Sequence, residues 1–300
     1  MSEISPADAT IITSPSTLSR RFDSSVGTLR PSPTGFGPTT ATGGSLELQG
    51  LLDTLEPAKY HDLKRYWEVP VALVLAVPAL LMTALLILLV RATSKGPGIY
   101  PQVRTGKNGR SFRMFKLRSM YQDAEARGAQ WSTGDHDPRV TPVGRWLRKL
   151  HLDELPQIVN VLRGEMSFCG PRPERPEFIE KLVRTVPYYS SRLAVRPGIT
   201  GFSQINLPPD SDLGSVMKKQ TLDLEYVENA SLFADLKMVA CTALRLIGIP
   251  GSVATKIAGL SMSPDESRFS VIYAPLWEKN HHAKDAAQHA LTPDLVCMDD

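Results

Sequence analysis

The sequence predicts an α+β fold, mainly helical: a small membrane-associated domain entered by one membrane helix kinked at Pro78 and carrying a short β-hairpin. Three observations predict it. Val69 to Val90 is an uncharged run of 22 residues filled mostly by Leu, Val, Ala, Ile and Met. Gln102-Val103-Arg104 and Phe112-Arg113-Met114 flank Lys107-Asn108-Gly109, an Asn-Gly turn between two short strand-forming runs. Beyond Leu152, apolar residues recur at helical spacing in segments that end at Gly or Pro.

Residues 1–58 form the first stretch. Ser, Thr, Gly and Pro fill 28 of the first 50 positions, with no apolar period. Such a segment buries too little apolar surface to offset its ordering entropy, so it reads as a disordered extension. It has no early apolar core of the signal-peptide kind.

Residues 59–95 hold the membrane segment. At 1.5 Å per residue, 22 helical residues extend about 33 Å, enough for the bilayer core. Pro78 removes an N–H and crowds the preceding turn, which kinks a helix. Lys59, Lys64 and Arg65 lie before the run, and eight Lys or Arg with no acid follow between Arg91 and Arg118. The following flank should stay cytoplasmic, and the leading flank leans the same way. From charge alone, a kinked helix re-entering one leaflet and a simple crossing helix both remain open.

Residues 96–249 form the globular part. After the hairpin, helices are expected from near Ser119, from Leu152 or Asp153 to Gly164, from Glu174 to Val186 and from Leu213 to Glu228. Ser231 to Ile249 carries only Asp235, Lys237 and Arg245 as charges and suits an interfacial helix lying on the membrane. Residues 250–300 lack sustained periodicity and read as a loose tail.

The formal charge is only +3, but it is unevenly placed. Arg91 to Asn206 holds 20 Lys or Arg against 10 Asp or Glu, so the remainder is net acidic. A basic middle of that size points to anionic partners such as phosphates or an anionic membrane surface. Hydrophobic residues at 42% and charged residues at 22% exclude a wholly disordered chain. Cys169, Cys241 and Cys297 are odd in number, far apart and without a CxxC. That excludes a disulfide scaffold and a Cys-rich zinc module.

The chemistry centres on Asp153-Glu154. Pro156 is tolerated only in a first helical turn, so the pair sits at a helix start. Asp153 there caps the helix, and Glu154 complements its dipole. The same position also attracts phosphate, and an ionised Asp is a competent nucleophile on phosphorus. Basic residues frame the pair. Lys116 and Arg118 alternate on one strand face. Arg145 and Arg148 are spaced i,i+3, and Arg196 precedes Pro197-Gly198. Pro171-Arg172-Pro173 is a stiff turn that presents its guanidinium at little entropic cost. Together they supply the positive frame that phosphoryl transfer needs. Two adjacent acids also suit Mg²⁺, which binds through one or two carboxylates plus substrate phosphates. Asp153 and Glu154 are therefore the metal-ligand candidates. His281, His282 and His289, in a polar tail, read as a solvated stretch.

Six ordered blocks stand out: Phe115-Lys116-Leu117-Arg118-Ser119-Met120, Thr141 to Lys149, Leu152 to Gln157, Asn160 to Ser167, Gly170 to Glu174 and Arg196 to Gly201. In this order they resemble the bacterial sugar transferase family, the monotopic polyprenyl-phosphate phosphoglycosyltransferases. The resemblance covers about Tyr60 to Gly248. It implies transfer of a sugar-1-phosphate from a UDP-sugar to undecaprenyl phosphate with release of UMP, using Mg²⁺, at the cytoplasmic face of the bacterial inner membrane. Asp153 would be the nucleophile, forming a phosphosugar-aspartyl intermediate, and Glu154 would assist it and help organise Mg²⁺. Arg148, Lys116 and Arg118 would hold phosphates, and Arg172 with Pro171 and Pro173 would shape the nucleotide or phosphate side. The resemblance also implies the re-entrant helix and places the protein at the start of exopolysaccharide, O-antigen, capsule or glycoconjugate synthesis.

The sequence departs from the family pattern in four places. Val77 precedes Pro78 where Ser is common, His151 replaces a small hydroxyl residue, Cys169 replaces an aliphatic one, and Lys95 stands where Pro is usual. None touches Asp153, Glu154 or Arg172. Two other classes compete: a membrane-anchored basic module binding lipid or nucleic acid without catalysis, and a metal-dependent phosphohydrolase. The first needs no acid pair at a helix start and usually adds aromatics for base stacking, so nucleic acid is not the expected partner. The sugar, the pathway product and the oligomeric state, a homo-oligomer included, are not legible in the sequence.

Overall fold

The computed structural model describes residues 55–124, 137–210, 212–246 and 248–274, all within one compact unit spanning 41–300. The expected disordered extension lies outside the described residues as far as residue 54. Leu55 and Ala58, its last residues, already pack against buried clusters.

A short helix, α1 (Tyr60–Leu63), leads into α2 (Arg65–Thr93), 29 residues long with Pro70 and Pro78 inside it. Tyr60–Thr93 is long and apolar enough to cross a membrane. Its buried positions, Glu68, Ala72, Ala76, Thr83, Leu86 and Val90, follow a three-to-four-residue spacing. That stripe packs on the globular part along the whole helix. Ala72 and Ala76 join Phe112, Met114, Ile158 and Val161, while Leu86 and Val90 join Leu117 and Leu147. Small residues at the first contact let the backbones approach closely. The opposite face leaves Leu73, Val74, Val77, Leu81, Leu85 and Leu88 exposed.

The hairpin forms as its turn signal requires. Strands β1 (Ile99–Thr105) and β2 (Ser111–Leu117) pair antiparallel, Ile99 opposite Leu117 and Thr105 opposite Ser111. Asn108 and Gly109 take φ values of +56° and +75°, the left-handed conformation that these two residue types tolerate best. Among the described residues, no helix starts near Ser119; residues 125–136 lie outside them. Instead Met120 makes an antiparallel bridge with Val140, drawing the chain back toward α3 (Pro142–Lys149). Thr141 caps α3, accepting from the Gly144 N–H at 2.9 Å.

The segment expected as one helix from Leu152 to Gly164 begins as a 3-10 turn, Leu152–Gln157, and becomes regular only in α4 (Ile158–Arg163). Pro156 has no N–H to give the Leu152 carbonyl, so the first turn winds tighter. A three-residue strand, β3 (Ser167–Cys169), then pairs in parallel with β4 (Gly198–Thr200). The sequence reading missed this pair, because three residues are too few to show a period of two. Between these strands come α5 (Pro176–Thr185) and a 3-10 turn, Tyr189–Ala194. Next are α6 (Phe202–Asn206), α7 (Leu213–Asn229) and α8 (Leu232–Leu246).

A buried ion pair fastens α2 to this frame. The Lys64 ammonium lies 2.8 Å from the Asp235 carboxylate on α8 and donates to the Cys169 carbonyl on β3 at 2.8 Å. Glu68 accepts from the Phe168 N–H at 2.9 Å and from the Ser167 hydroxyl. Cys169 itself is core, as expected.

Part of the expected tail is folded. Gly251–Ala258 forms α9, and Phe269, Ile272 and Tyr273 are buried against α5 and α7. Three buried residues within five positions carry too short a pattern to show periodicity, and only the groove that receives them reveals their role. Residues 275–300, including His281, His282 and His289, lie outside the described residues.

Candidate active site

The 3-10 turn at Leu152–Gln157 carries the acid pair, and the residue before it sets the turn's direction. His151 sits at φ +52°, a left-handed conformation that reverses the chain between α3 and the turn. Asp153 is only 6% exposed. No hydrogen bond or ion pair among the described residues engages its carboxylate.

Glu154 is held quite differently. Its Oε1 accepts from Lys116 Nζ at 2.7 Å and from Arg172 Nη2 at 3.4 Å. Burial alone would push the Glu154 carboxyl up. The Lys116 ammonium and the Arg172 guanidinium override it and hold the group down at about 2. Asp153 goes the other way: burial raises its pKa, and the nearby Lys116, Arg148 and Arg172 charges only partly oppose that. Adjacent in sequence, the two carboxylates occupy different electrostatic worlds. Glu154 is locked as an anion by its partners, and Asp153 keeps its lone pairs available.

Lys116 comes from the end of β2, and burial depresses its pKa even beside Glu154. Arg148, in the last turn of α3, donates to the Ser119 hydroxyl at 2.8 Å and contributes positive potential at Asp153. Pro171 and Pro173 are buried on either side of Arg172, whose guanidinium lies against Glu154. Lys116, Arg148 and Arg172 thus converge on the acid pair from three separate elements.

The remaining candidates do not converge. Arg118, 6% exposed, turns away from Lys116 and donates from Nη2 to the Ser94 carbonyl and hydroxyl at 2.7 Å, at the end of α2. The expected shared strand face fails because β2 ends at Leu117, and the chain bends toward the Met120–Val140 bridge before Arg118 is placed. Arg196 donates to the Gly164 carbonyl at 3.2 Å. Arg145 is exposed on α3.

Two arginines that the sequence did not single out belong to the surroundings of Arg172. Arg104 on β1 donates to the Pro173 carbonyl at 2.9 Å, and Arg192 donates to the Arg172 carbonyl at 3.1 Å. No local pattern marks them, because each acts across a tertiary contact.

A divalent metal finds no cage of its own: among the described residues no group of three or more His, Cys, Asp or Glu is gathered. What is present is the unengaged Asp153 carboxylate and the second oxygen of Glu154. That donor set fits Mg²⁺ held by one or two carboxylates and completed by substrate phosphates.

The family model described as bacterial sugar transferase matches residues 59–248. The chain is 44% identical over 183 residues to a UDP-N-acetylgalactosamine-undecaprenyl-phosphate N-acetylgalactosaminephosphotransferase of Aeromonas hydrophila, covering 60% of this chain and 42% of that protein. It is 40% identical over 192 residues to an undecaprenyl-phosphate glucose phosphotransferase of Komagataeibacter xylinus, covering 61% of this chain and 36% of that protein. With a UDP-glucose:undecaprenyl-phosphate glucose-1-phosphate transferase of Caulobacter vibrioides it shares 36% identity over 242 residues, 77% of this chain and 85% of that one. The matched region thus spans less than half the length of the first two relatives.

Proposed function

The chain belongs to the bacterial sugar transferase family, and from that premise we propose that it moves a sugar-1-phosphate from a UDP-sugar to undecaprenyl phosphate through a covalent intermediate on Asp153. The observation that carries this reading is the contrast within the acid pair: a buried, unengaged Asp153 beside a Glu154 clamped by Lys116 and Arg172. A nucleophile needs a free lone pair and freedom to move; both Asp153 oxygens are unengaged, whereas Glu154 is tethered through Oε1 to two cations.

In the first half-reaction an Asp153 oxygen attacks the phosphorus that bears the sugar. The bond to the bridging oxygen breaks, and UMP leaves with that electron pair. In the second, an oxygen of undecaprenyl phosphate attacks the same phosphorus, releasing the Asp153 carboxylate and leaving a lipid diphosphate sugar. Lys116, Arg148 and Arg172 spread positive potential over the phosphoryl oxygens as charge develops. Glu154 fixes Lys116 and Arg172 in place rather than reacting. Mg²⁺, held by Asp153 and Glu154 together with donor phosphates, would neutralise phosphate charge. A covalent intermediate lets one site serve a water-soluble donor and then a lipid acceptor without holding both at once.

The membrane arrangement follows the same reading. The globular part contacts α2 from Glu68 to Val90 rather than at one end only, which supports a helix that enters and leaves on the cytoplasmic side. Basic residues at both ends support it too. Leu232, Phe233, Leu236 and Val239 on α8, with Val253 and Ile257 on α9, are exposed and suit an interfacial face at headgroup level. There the acid pair meets the acceptor phosphate at the inner membrane. The product is the first lipid-linked sugar of an exported or cell-envelope polysaccharide.

The test is UMP release by protein in nanodiscs with Mg²⁺, undecaprenyl phosphate and a panel of UDP-sugars. Lipid-dependent release with at least one donor is expected, and Asp153→Asn should lower it by at least about 10³-fold. Activity surviving that change would sink the covalent mechanism. Continued turnover without lipid would make the protein a phosphohydrolase.

A further inference from the structure

The turn that presents Arg172 cannot hold itself. Pro171 and Pro173 have no N–H, so the turn is poor in donors, and its carbonyls must be satisfied from outside. Each one is. The Pro171 carbonyl accepts from the Gly198 N–H on β4 at 3.0 Å. The Arg172 carbonyl accepts from Arg192 Nη2 at 3.1 Å, and the Pro173 carbonyl from Arg104 Nη1 at 2.9 Å. The next carbonyl, that of Glu174, accepts from the Thr105 N–H at 2.9 Å.

The two side-chain donors are themselves anchored. Arg192 is buried and paired with Asp223 at 2.6 Å, and Asp223 also accepts from the Ser203 hydroxyl at 2.7 Å. Arg104 is steadied on β1 by the Gln102 amide oxygen, reached at 3.0 Å from Nε and 2.6 Å from Nη2. Two guanidiniums thus act on the carbonyls of consecutive residues of one turn.

We propose that Arg104 and Arg192 are positioning residues. They grip the two successive carbonyls that follow the Arg172 Cα so that its guanidinium faces Glu154 and the donor's phosphates. Neither need touch the donor. Loosening either lets the turn pivot, and a shift of about 1 Å at a phosphate contact can cost up to about 10²-fold. This inference rests on the reading of Arg172 as a donor-binding residue.

The experiment is a double-mutant cycle read by the affinity for UDP, the portion shared by all candidate donors, titrated calorimetrically into nanodisc protein with Mg²⁺. Arg172→Ala, Arg104→Gln and the double variant are compared with the parent, with thermal midpoints recorded alongside. Arg104→Gln is expected to weaken UDP binding about 5- to 10-fold when Arg172 is present and less than about 2-fold in the Arg172→Ala background. Equal losses in both backgrounds would show Arg104 acting by itself, and no loss beside an intact Arg172 would show it idle; either overturns the proposal. UDP binding unaffected by Arg172→Ala would instead overturn the reading of Arg172 on which the proposal stands. Arg192→Lys is the second variant. Nη2 alone serves both Asp223 and the Arg172 carbonyl, and a lysine is one bond shorter, so an ammonium that keeps the Asp223 pair is drawn off that carbonyl; the same background dependence is expected with little change in thermal midpoint.

Discussion

Replacing Lys116 by Gln isolates the strongest electrostatic feature of the site. Glu154 is 12% exposed at its side chain and Lys116 15%, with 2.7 Å between charged atoms. Holding the carboxyl at about 2 rather than at its ordinary value corresponds to about 3 kcal/mol, at roughly 1.4 kcal/mol per pKa unit. The desolvation of Lys116, whose pKa burial lowers, offsets part of this. The variant should therefore lose about 2–3 kcal/mol, leaving a buried carboxylate with Arg172 alone. In a unit of this size that is a fall of about 5–10 °C in the apparent thermal midpoint, read by tryptophan fluorescence in nanodiscs at pH 7.

Two controls give the reasoning its edge. Lys116→Gln combined with Glu154→Gln removes both buried charges, leaves only the part-exposed Arg172 without its carboxylate, and should recover at least half of the loss. The sign with pH is also fixed. Glu154 is depressed in the folded state, so its contribution is complete above pH 4.5 and disappears as pH falls toward 2. The gap between the parent and Glu154→Gln should close across that window. Single-variant losses that simply add, or a midpoint change under 2 °C for Lys116→Gln, would refute the buried clamp.

Other outcomes follow from the same structure. Burial raises the Asp153 pKa, so the acid limb of kcat/KM should lie above the ordinary Asp value of about 3.9; Arg148→Gln, removing a nearby positive charge, should move it higher still, and a limb at or below the ordinary value would contradict the site. A Cβ at Gly144 would lie 1.9 Å from the Ser119 carbonyl oxygen, so Gly144→Ala must push α3 off the Ser119 loop. We expect a loss of about 1–3 kcal/mol and reduced kcat/KM through Arg148, measured by thermal midpoint and UMP release. Phe269 is fully buried, so Phe269→Ala should cost about 3–5 kcal/mol by denaturant titration, whereas a truly loose tail would show almost none.

What could be read from the sequence was local. The long apolar run, the Asn-Gly turn and the acid pair before Pro156 each draw their conformation from neighbours a few residues away, and each appears where the residues demand. Helices α5, α7 and α8 likewise fall within a few residues of their periodic segments. Pattern also brought Lys116, Arg148 and Arg172 under suspicion, as three members of a longer roll of basic residues.

Choosing among them needed the tertiary structure. Arg118 and Lys116 look equivalent at i,i+2, yet β2 ends between them and sends one guanidinium to the end of α2. Lys116 meets Glu154 across 38 residues, and Arg104 meets Pro173 across 69. Phe269 becomes core only where α5 and α7 leave a groove for it. The sequence by itself marked the long apolar helix, the hairpin turn and helices α5, α7 and α8, because those depend on short-range sterics and hydrophobic period. Which charge meets which carboxylate depends on where the chain returns, and only the folded structure decided that.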